Sequence, residues 1–121
     1  FIVPRWRIKS ISGPSQIGEV FWNNEIVETV ELIVRLFGFD SNVNLQFKCS
    51  ASPDGNPLLY EINPRVSGTI VAGTAAGIDL IREGILHALG YPPSITPGTT
   101  PNALRMVRYF KEYFVTKRAN G

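Results

Sequence analysis

Glu61, Asn63 and Arg65 have side chains that could hold a metal ion together with its phosphate ligands. They lie in the run Leu58–Gly68, which reads Leu-Leu-Tyr-Glu-Ile-Asn-Pro-Arg-Val-Ser-Gly and begins as a strand. Because side chains alternate between the two faces of a strand, Glu61 and Asn63 are expected on the same face. Pro64 ends the strand, so Arg65 follows the carboxylate and the amide directly. A carboxylate, an amide oxygen and a guanidinium suit a hard divalent cation that bridges phosphate oxygens.

A preceding strand is expected to complete this group of side chains. The stretch Pro53-Asp54-Gly55-Asn56 separates the two strands, and its Asp-Gly centre is a strong signal for a hairpin turn. If Asp54-Gly55 forms the tip, Gln46 lies opposite Asn63. The same register sets Lys48 opposite Glu61, and directly opposed side chains share a face.

Two interpretations of this hairpin remain open on residue types. A Glu-x-Asn pair on the wet face of a strand is also compatible with ordinary solvated surface. In either case the alternation predicts that the other face, with Leu58, Tyr60 and Ile62, packs against the core.

The amino-terminal region predicts a basic strand followed by a loop. Phe1–Lys9 alternates after Pro4, which indicates a half-buried strand whose polar face carries Arg5, Arg7 and Lys9. These cations could face phosphate, or they could protect a strand edge from aggregation. The composition of Ser10–Gly18 predicts a loop.

The remaining elements are predicted as scaffold. Apolar residues spaced three and four apart indicate a helix from Asn24 to Phe37, with Asn23 or Asn24 as its cap and Gly38 at its end. Asp79 is expected to cap a second helix over Leu80–Leu89. The run Leu104–Val115 is apolar and aromatic on both faces, which predicts a buried strand, and its basic residues are interpreted as structural.

Composition limits the class of protein. The chain has 121 residues, 44% of them apolar, which is enough for one core. Its net charge of +2 is too small to indicate a nucleic-acid or membrane partner. No apolar run approaches the roughly 20 residues that span a bilayer. The single cysteine, Cys49, fits a reducing compartment, so a cytoplasmic location is expected.

The string Glu61-Ile62-Asn63-Pro64-Arg65 resembles the metal-binding signature of the ATP-grasp superfamily, closest to the large subunit of carbamoyl-phosphate synthase. Ser41–Phe47 is similar to the strand before that signature, and Gln46 stands where this family has a metal ligand. The resemblance implies that Gln46, Glu61 and Asn63 hold Mg²⁺ (or Mn²⁺) on the phosphates of ATP. It implies a catalytic and nucleotide-binding Arg65, with Arg7 and Lys48 as further cofactor-binding cations.

The resemblance also implies a fold and a reaction. The fold is α+β, a mostly antiparallel sheet with helices on one face, forming the C-terminal subdomain of an ATP-grasp domain over residues 1–116, with a tail at 117–121. The reaction is ATP-dependent activation of a small carboxylate as an acyl phosphate, which an amine or ammonia then attacks. The family's adenine-gripping segment is not visible in these residues. The fragment is therefore expected to be inactive without the remainder of its ATP-grasp domain.

Three alternatives remain. The chain could be a segment of carbamoyl-phosphate synthase itself: Gly13-Pro14-Ser15 looks like the Gly-x-Ser loop of that enzyme, but Ile11 stands where the family has a histidine. It could be a pseudo-ligase that binds a nucleotide or partner without turnover, which an intact ligand set argues against. A nucleic-acid-binding module using the basic face of the first strand is disfavoured by the low net charge.

Overall fold

The computed structural model describes residues 1–10, 15–48 and 57–116. Strands and helices alternate irregularly along these residues, and every strand pairing is antiparallel, so the predicted α+β class is confirmed. In chain order the elements are β1 (Arg5–Ser10), β2 (Ser15–Val20), α1 (Asn24–Phe37), β3 (Asn44–Lys48), β4 (Leu58–Asn63), α2 (Ile70–Ala75), α3 (Leu80–Ala88) and β5 (Leu104–Val107).

A three-stranded sheet has the order β1-β2-β5. Arg7 pairs with Gly18, and Gly18 pairs in turn with Met106, so these residues form one row across the sheet. The loop predicted for Ser10–Gly18 is therefore wrong from Ser15 onward, because β2 is the central strand of the sheet. Residues 11–14 lie outside the described part of the chain, so the Ile11 position and most of the Gly-x-Ser loop are not described.

The strands β3 and β4 form a separate two-stranded sheet. Gln46 pairs with Glu61, and Phe47 pairs with Leu59, so Tyr60 is an extra residue in β4, a β-bulge. The predicted register is wrong by two positions at Gln46, which was expected opposite Asn63, and by three at Lys48, which lies beyond the bulge and pairs with Leu58 and not with Glu61. A shift of two residues preserves the face of a strand, so Gln46 and Glu61 still point the same way. The predicted turn at Asp54-Gly55 lies outside the described residues.

The helix α1 has the predicted bounds, and α3 begins at the predicted Leu80 and ends at Ala88, one residue before the predicted end. The side chain of Asn23 accepts a hydrogen bond from the Ile26 backbone N–H at 2.9 Å, and Gly38 ends α1 with a φ of 64°. Asp79 caps α3 by accepting from the N–H groups of Ile81 and Arg82 at 3.1 Å each. In the described ranges, no helix is long and apolar enough to cross a membrane.

The core lies where β2 meets α2 and the turn that follows it. Its buried residues are apolar and small to medium in size: Val3, Val20, Ala72, Ala76 and Ile78. Ile78 has no exposed surface and anchors this cluster. The buried strand predicted for Leu104–Val115 is wrong beyond Val107, because residues 109–115 have no regular structure and their aromatic side chains are exposed.

We expect Ile78→Ala to lower the free energy of unfolding by about 2–5 kcal/mol, because it removes apolar contacts and leaves a cavity in the core. The matched control is Ile85→Ala, in which the same atoms are removed from a side chain that is 55% exposed. Urea denaturation of the full-length protein and both variants measures the difference. An equal effect of the two substitutions would show that Ile78 is not a core residue.

Candidate functional site

The predicted convergence of Gln46, Glu61 and Asn63 is confirmed. The Nε2 atom of Gln46 donates to Oε2 of Glu61 at 2.6 Å, and the Nδ2 atom of Asn63 donates to Oε1 of Glu61 at 2.8 Å. Both oxygens of the carboxylate therefore have an amide partner. The cause is local: Gln46 and Glu61 are direct partners across the hairpin, and Asn63 lies two residues further along the same face. We call these three residues the carboxylate–amide trio.

The bulge adds Tyr60 to this group, in contrast to the prediction that it packs in the core. Tyr60 is 51% exposed, and its hydroxyl donates to Oε1 of Gln46 at 2.9 Å. A bulge turns the extra residue away from the regular alternation of the strand. Sequence reasoning missed this residue because nothing in the run Leu58–Asn63 marks where the bulge lies.

Two of the predicted cofactor-binding cations lie beside the carboxylate–amide trio. The Nη2 atom of Arg7 donates to Oε1 of Gln46 at 3.2 Å, which links the three-stranded sheet to the hairpin. Lys48 does not face Glu61, but its Nζ atom lies 5.3 Å from the ring centre of Tyr60, within the range of a cation–π contact. Both cations are thus close to Gln46 or to its hydroxyl partner.

Arg65 is held at the end of β4 by the turn that follows it. Its backbone N–H donates to the carbonyl of Asn63 at 2.7 Å, and its Nη1 atom donates to the carbonyl of Val66 at 3.0 Å. A guanidinium has five donors, so most of them remain for a ligand. The side chain lines the cavity described next.

A cavity of about 550 Å³ lies between the two sheets and α2. This volume is in the usual range for sites that bind small molecules. Gln46, Ser67, Gly68 and Thr69 contribute polar atoms to its wall, and Trp6 and Met106 contribute apolar ones. Its charged lining is mostly cationic: Arg5, Arg7, Lys48, Arg65 and Arg108, against the single carboxylate of Glu19.

Arg5 was predicted only as one of the first-strand cations that could face phosphate, and Arg108 was not among the predicted site residues. Arg5 is largely buried, and burial lowers its pKa because it disfavours the charged form. Within the described part of the chain its Nη1 atom is buried without a hydrogen-bond partner. Arg108, interpreted from sequence as structural, lines the cavity and donates to the carbonyl of Gly68. Arg108 follows Met106 by two residues, so the two side chains lie on the same face of the sheet. Its place in the cavity could therefore have been inferred only with knowledge of the register of β5.

The carboxylate–amide trio fits a hard divalent cation. A half-turn of the Asn63 amide exchanges its nitrogen and oxygen, which brings an amide oxygen beside the carboxylate. The same half-turn of Gln46 would also break the hydrogen bonds that its Oε1 accepts from Arg7 and Tyr60. Oxygen donors of this kind suit Mg²⁺. Among the described residues, no three or more His, Cys, Asp or Glu side chains form a group that could hold a metal ion. Glu61 is the one charged side chain of the trio, so the trio has a single negative charge. Such a site leaves one of the two positive charges of Mg²⁺ to be balanced by an anionic ligand such as phosphate.

Comparison with family models matches residues 1–111 to the family described as ATP-grasp in the biosynthetic pathway with Ter operon. No curated protein and no solved structure matches the chain. The matched residues include both sheets, all three helices and every residue of the carboxylate–amide trio.

Proposed function

Because this chain belongs to the ATP-grasp family found in the biosynthetic pathway with Ter operon, we propose that it supplies the metal- and phosphate-binding part of a carboxylate–amine ligase. Family membership makes the chain part of an ATP-dependent, ligase-type enzyme. The observation that supports the finer proposal is the hydrogen bonding of both Glu61 oxygens by Gln46 and Asn63, beside a cationic cavity.

In this proposal Gln46, Glu61 and Asn63 would hold Mg²⁺, which would supply positive charge to neutralise the phosphates of ATP. Arg7, which donates to Gln46, and Lys48, whose Nζ atom lies over the ring of Tyr60, would contact phosphate oxygens. The low charge of the trio favours binding of the metal together with the nucleotide over binding of the metal by itself. Joint binding of cation and anionic ligand is expected at any site whose own negative charge is smaller than the positive charge of its cation.

The proposed reaction has two displacements. A carboxylate oxygen of the substrate attacks the γ-phosphorus, the bond from that phosphorus to ADP breaks, and an acyl phosphate forms. The nitrogen of an amine or ammonia then attacks the acyl carbon, the carbon–oxygen bond to phosphate breaks, and the nitrogen loses a proton to solvent. Arg65 stabilises the charge on the moving phosphoryl group and on the acyl phosphate. Positioning and charge neutralisation supply most of the catalysis in phosphoryl transfer.

Two finer parts of the proposal rest on sequence. The closeness to carbamoyl-phosphate synthase stays a prediction from the signature and from Gln46. A cytoplasmic location is proposed because the single cysteine of the chain suits a reducing compartment.

We expect the full-length protein to form hydroxamates when it is given Mg²⁺, ATP, hydroxylamine and a panel of carboxylic acids. Hydroxylamine traps an acyl phosphate whatever the natural amine is, so the assay reports the activation step directly. ADP should appear in equal amount with the hydroxamate, and neither should form without Mg²⁺. The control is Glu31→Gln, which removes an exposed carboxylate on α1 and should leave the yield unchanged.

Formation of ADP with no hydroxamate for any acid would contradict carboxylate activation. A nucleotide that binds with neither product would instead favour a pseudo-ligase.

A further inference from the structure

The cavity between the two sheets has more cationic side chains than the proposed reaction uses. Arg7 and Lys48 lie beside the carboxylate–amide trio, and Arg65 follows it in the chain. Arg5 and Arg108 have no part in that scheme, although both line the same cavity. Among the described residues, Glu19 is the one carboxylate in the lining, and it is paired with Arg105 and so does not neutralise them.

Arg5 is the side chain that most needs a ligand. Its Nη1 atom is buried and has no hydrogen-bond partner among the described residues. A buried donor left unsatisfied is destabilising, and one on a charged group is more so. Such a group in the wall of a cavity is explained when an anion in the cavity accepts its hydrogen bond.

Arg108 approaches the cavity from the other edge of the three-stranded sheet. Its backbone N–H donates to the carbonyl of Gln16 at 2.8 Å, which extends the pairing of β5 with β2 by one residue. Its side chain donates to the carbonyl of Gly68, which fixes its direction. The guanidinium retains further donors after that bond.

The middle of the cavity floor is formed by Gly18 of β2, which pairs with Arg7 on one side and Met106 on the other. A Cβ at Gly18 would lie 3.2 Å from the carbonyl oxygen of Trp6 and 3.8 Å from Cε of Met106, so these atoms approach the glycine closely. Adjacent strands are about 4.8 Å apart, so β1 and β5 are separated by roughly 10 Å. Arg5 pairs with Val20, and the backbone of Arg108 donates to Gln16, so the two arginines lie on opposite sides of the Gly18 row and a ligand over that row lies between them.

We infer that the carboxylate substrate of this enzyme has a second acidic group, a carboxylate or a phosphate, which Arg5 and Arg108 bind across the floor of the cavity. The planar fork of a guanidinium matches the paired oxygens of either group. This inference rests on the proposed function, because it names the class of acid that is activated. A monocarboxylate would leave the buried Nη1 atom of Arg5, and the donors of Arg108 that do not bind Gly68, without an anionic partner.

The test is direct binding to the full-length protein by calorimetry, without nucleotide. The probes are pairs of acids of equal carbon number: butyrate against succinate, and valerate against glutarate. 3-Phosphonopropionate is the probe for a second group of the phosphate type. We expect at least one doubly acidic probe to bind about tenfold or more tightly than its monocarboxylate, as charge-assisted hydrogen bonds allow.

Arg108→Gln and Arg5→Gln should each reduce that preference to less than about threefold. Arg82→Gln is the control, because Arg82 is an exposed arginine on α3 that does not line the cavity. It should leave the preference unchanged. Circular dichroism shows whether each variant is folded, and the wild-type comparison stands even where a variant is not.

Wild-type protein that binds every doubly acidic probe no more than threefold tighter than its partner would overturn the inference. Hydroxamate formation with monocarboxylates as efficient as with diacids would do so too, while leaving the proposed ligase reaction intact. If diacids bind with a clear preference but no acid yields a hydroxamate, the proposed reaction would be contradicted. The inference that the cavity binds a doubly acidic ligand would still stand.

Discussion

Replacing Arg65 with alanine in the full-length enzyme is expected to lower kcat by roughly 10²–10³, the usual loss when one donor to a developing charge is removed. The KM for Mg·ATP should change much less. The reason is that Arg65 is proposed to meet charge that grows as the phosphoryl group moves, so its contribution is larger in the transition state than in the ground state. Steady-state kinetics with ATP varied separates the two parameters.

Arg65→Lys makes the same measurement more specific. Lysine keeps the positive charge but loses the planar fork that can bind two oxygens at once, so it should restore only part of the rate. Arg82→Ala is the control, because Arg82 is an exposed arginine on α3 that does not line the cavity. If Arg65→Ala left kcat within about twofold of wild type, Arg65 would be a structural residue at the end of β4.

Replacing Glu61 with glutamine should weaken Mg·ATP binding and slow turnover together. Glu61 is the only charged member of the carboxylate–amide trio, and in the proposal it contacts the metal in both the ground and transition states. Changes to the partners of metal ligands typically reduce affinity or activity about 10–100-fold, and loss of the ligand itself should reach at least that range. Glutamine has nearly the same shape, so the hydrogen bond to Gln46 can be kept with the amide turned.

The measurement is the Mg²⁺ dependence of ADP formation, with Glu31→Gln as the matched control. Raising Mg²⁺ should recover part of the rate in Glu61→Gln, since a weaker site fills at higher concentration. A variant with wild-type KM for Mg·ATP would contradict a metal-binding role for Glu61.

The scaffold around the site could be predicted from local signals. The helix α1 has the predicted bounds because its apolar spacing, the Asn23 cap and the left-handed Gly38 all indicate the same segment. Each of these signals depends on residues close in sequence, so no knowledge of the tertiary fold is needed to interpret them.

The carboxylate–amide trio could be predicted because it requires only that its side chains lie on the same face of the two strands. The pairing register of β3 and β4 depends on more than this alternation of faces. Any even shift of β3 against β4 keeps Gln46 and Glu61 on the same side, so the error of two positions did no harm to the site. The contribution of Tyr60 was not predictable, because a bulge is set by packing and twist and leaves no mark in a short alternating run.

Two other errors have a tertiary cause. Ser15–Val20 was interpreted as loop from its composition, but pairing on both sides with β1 and β5 makes it the central strand, and Gly18 is accepted because it packs against the backbone of Trp6. The segment after Val107 has the aromatic content of a buried strand, yet these side chains are exposed. Composition indicates which residues can be buried, but it does not show what would cover them.

The β-bulge at Tyr60 has a consequence for how this region can tolerate insertions and deletions. Gln46 pairs with Glu61 on one side of the bulge, and the connection over residues 49–56 begins beyond its other side. Insertion or deletion of an odd number of residues between the bulge and residues 49–56 can be accommodated at the bulge, where pairing is already interrupted. Glu61 and Asn63 then stay on the same face of the strand. The length of the hairpin can therefore vary among descendants of this sequence while its site residues keep their direction.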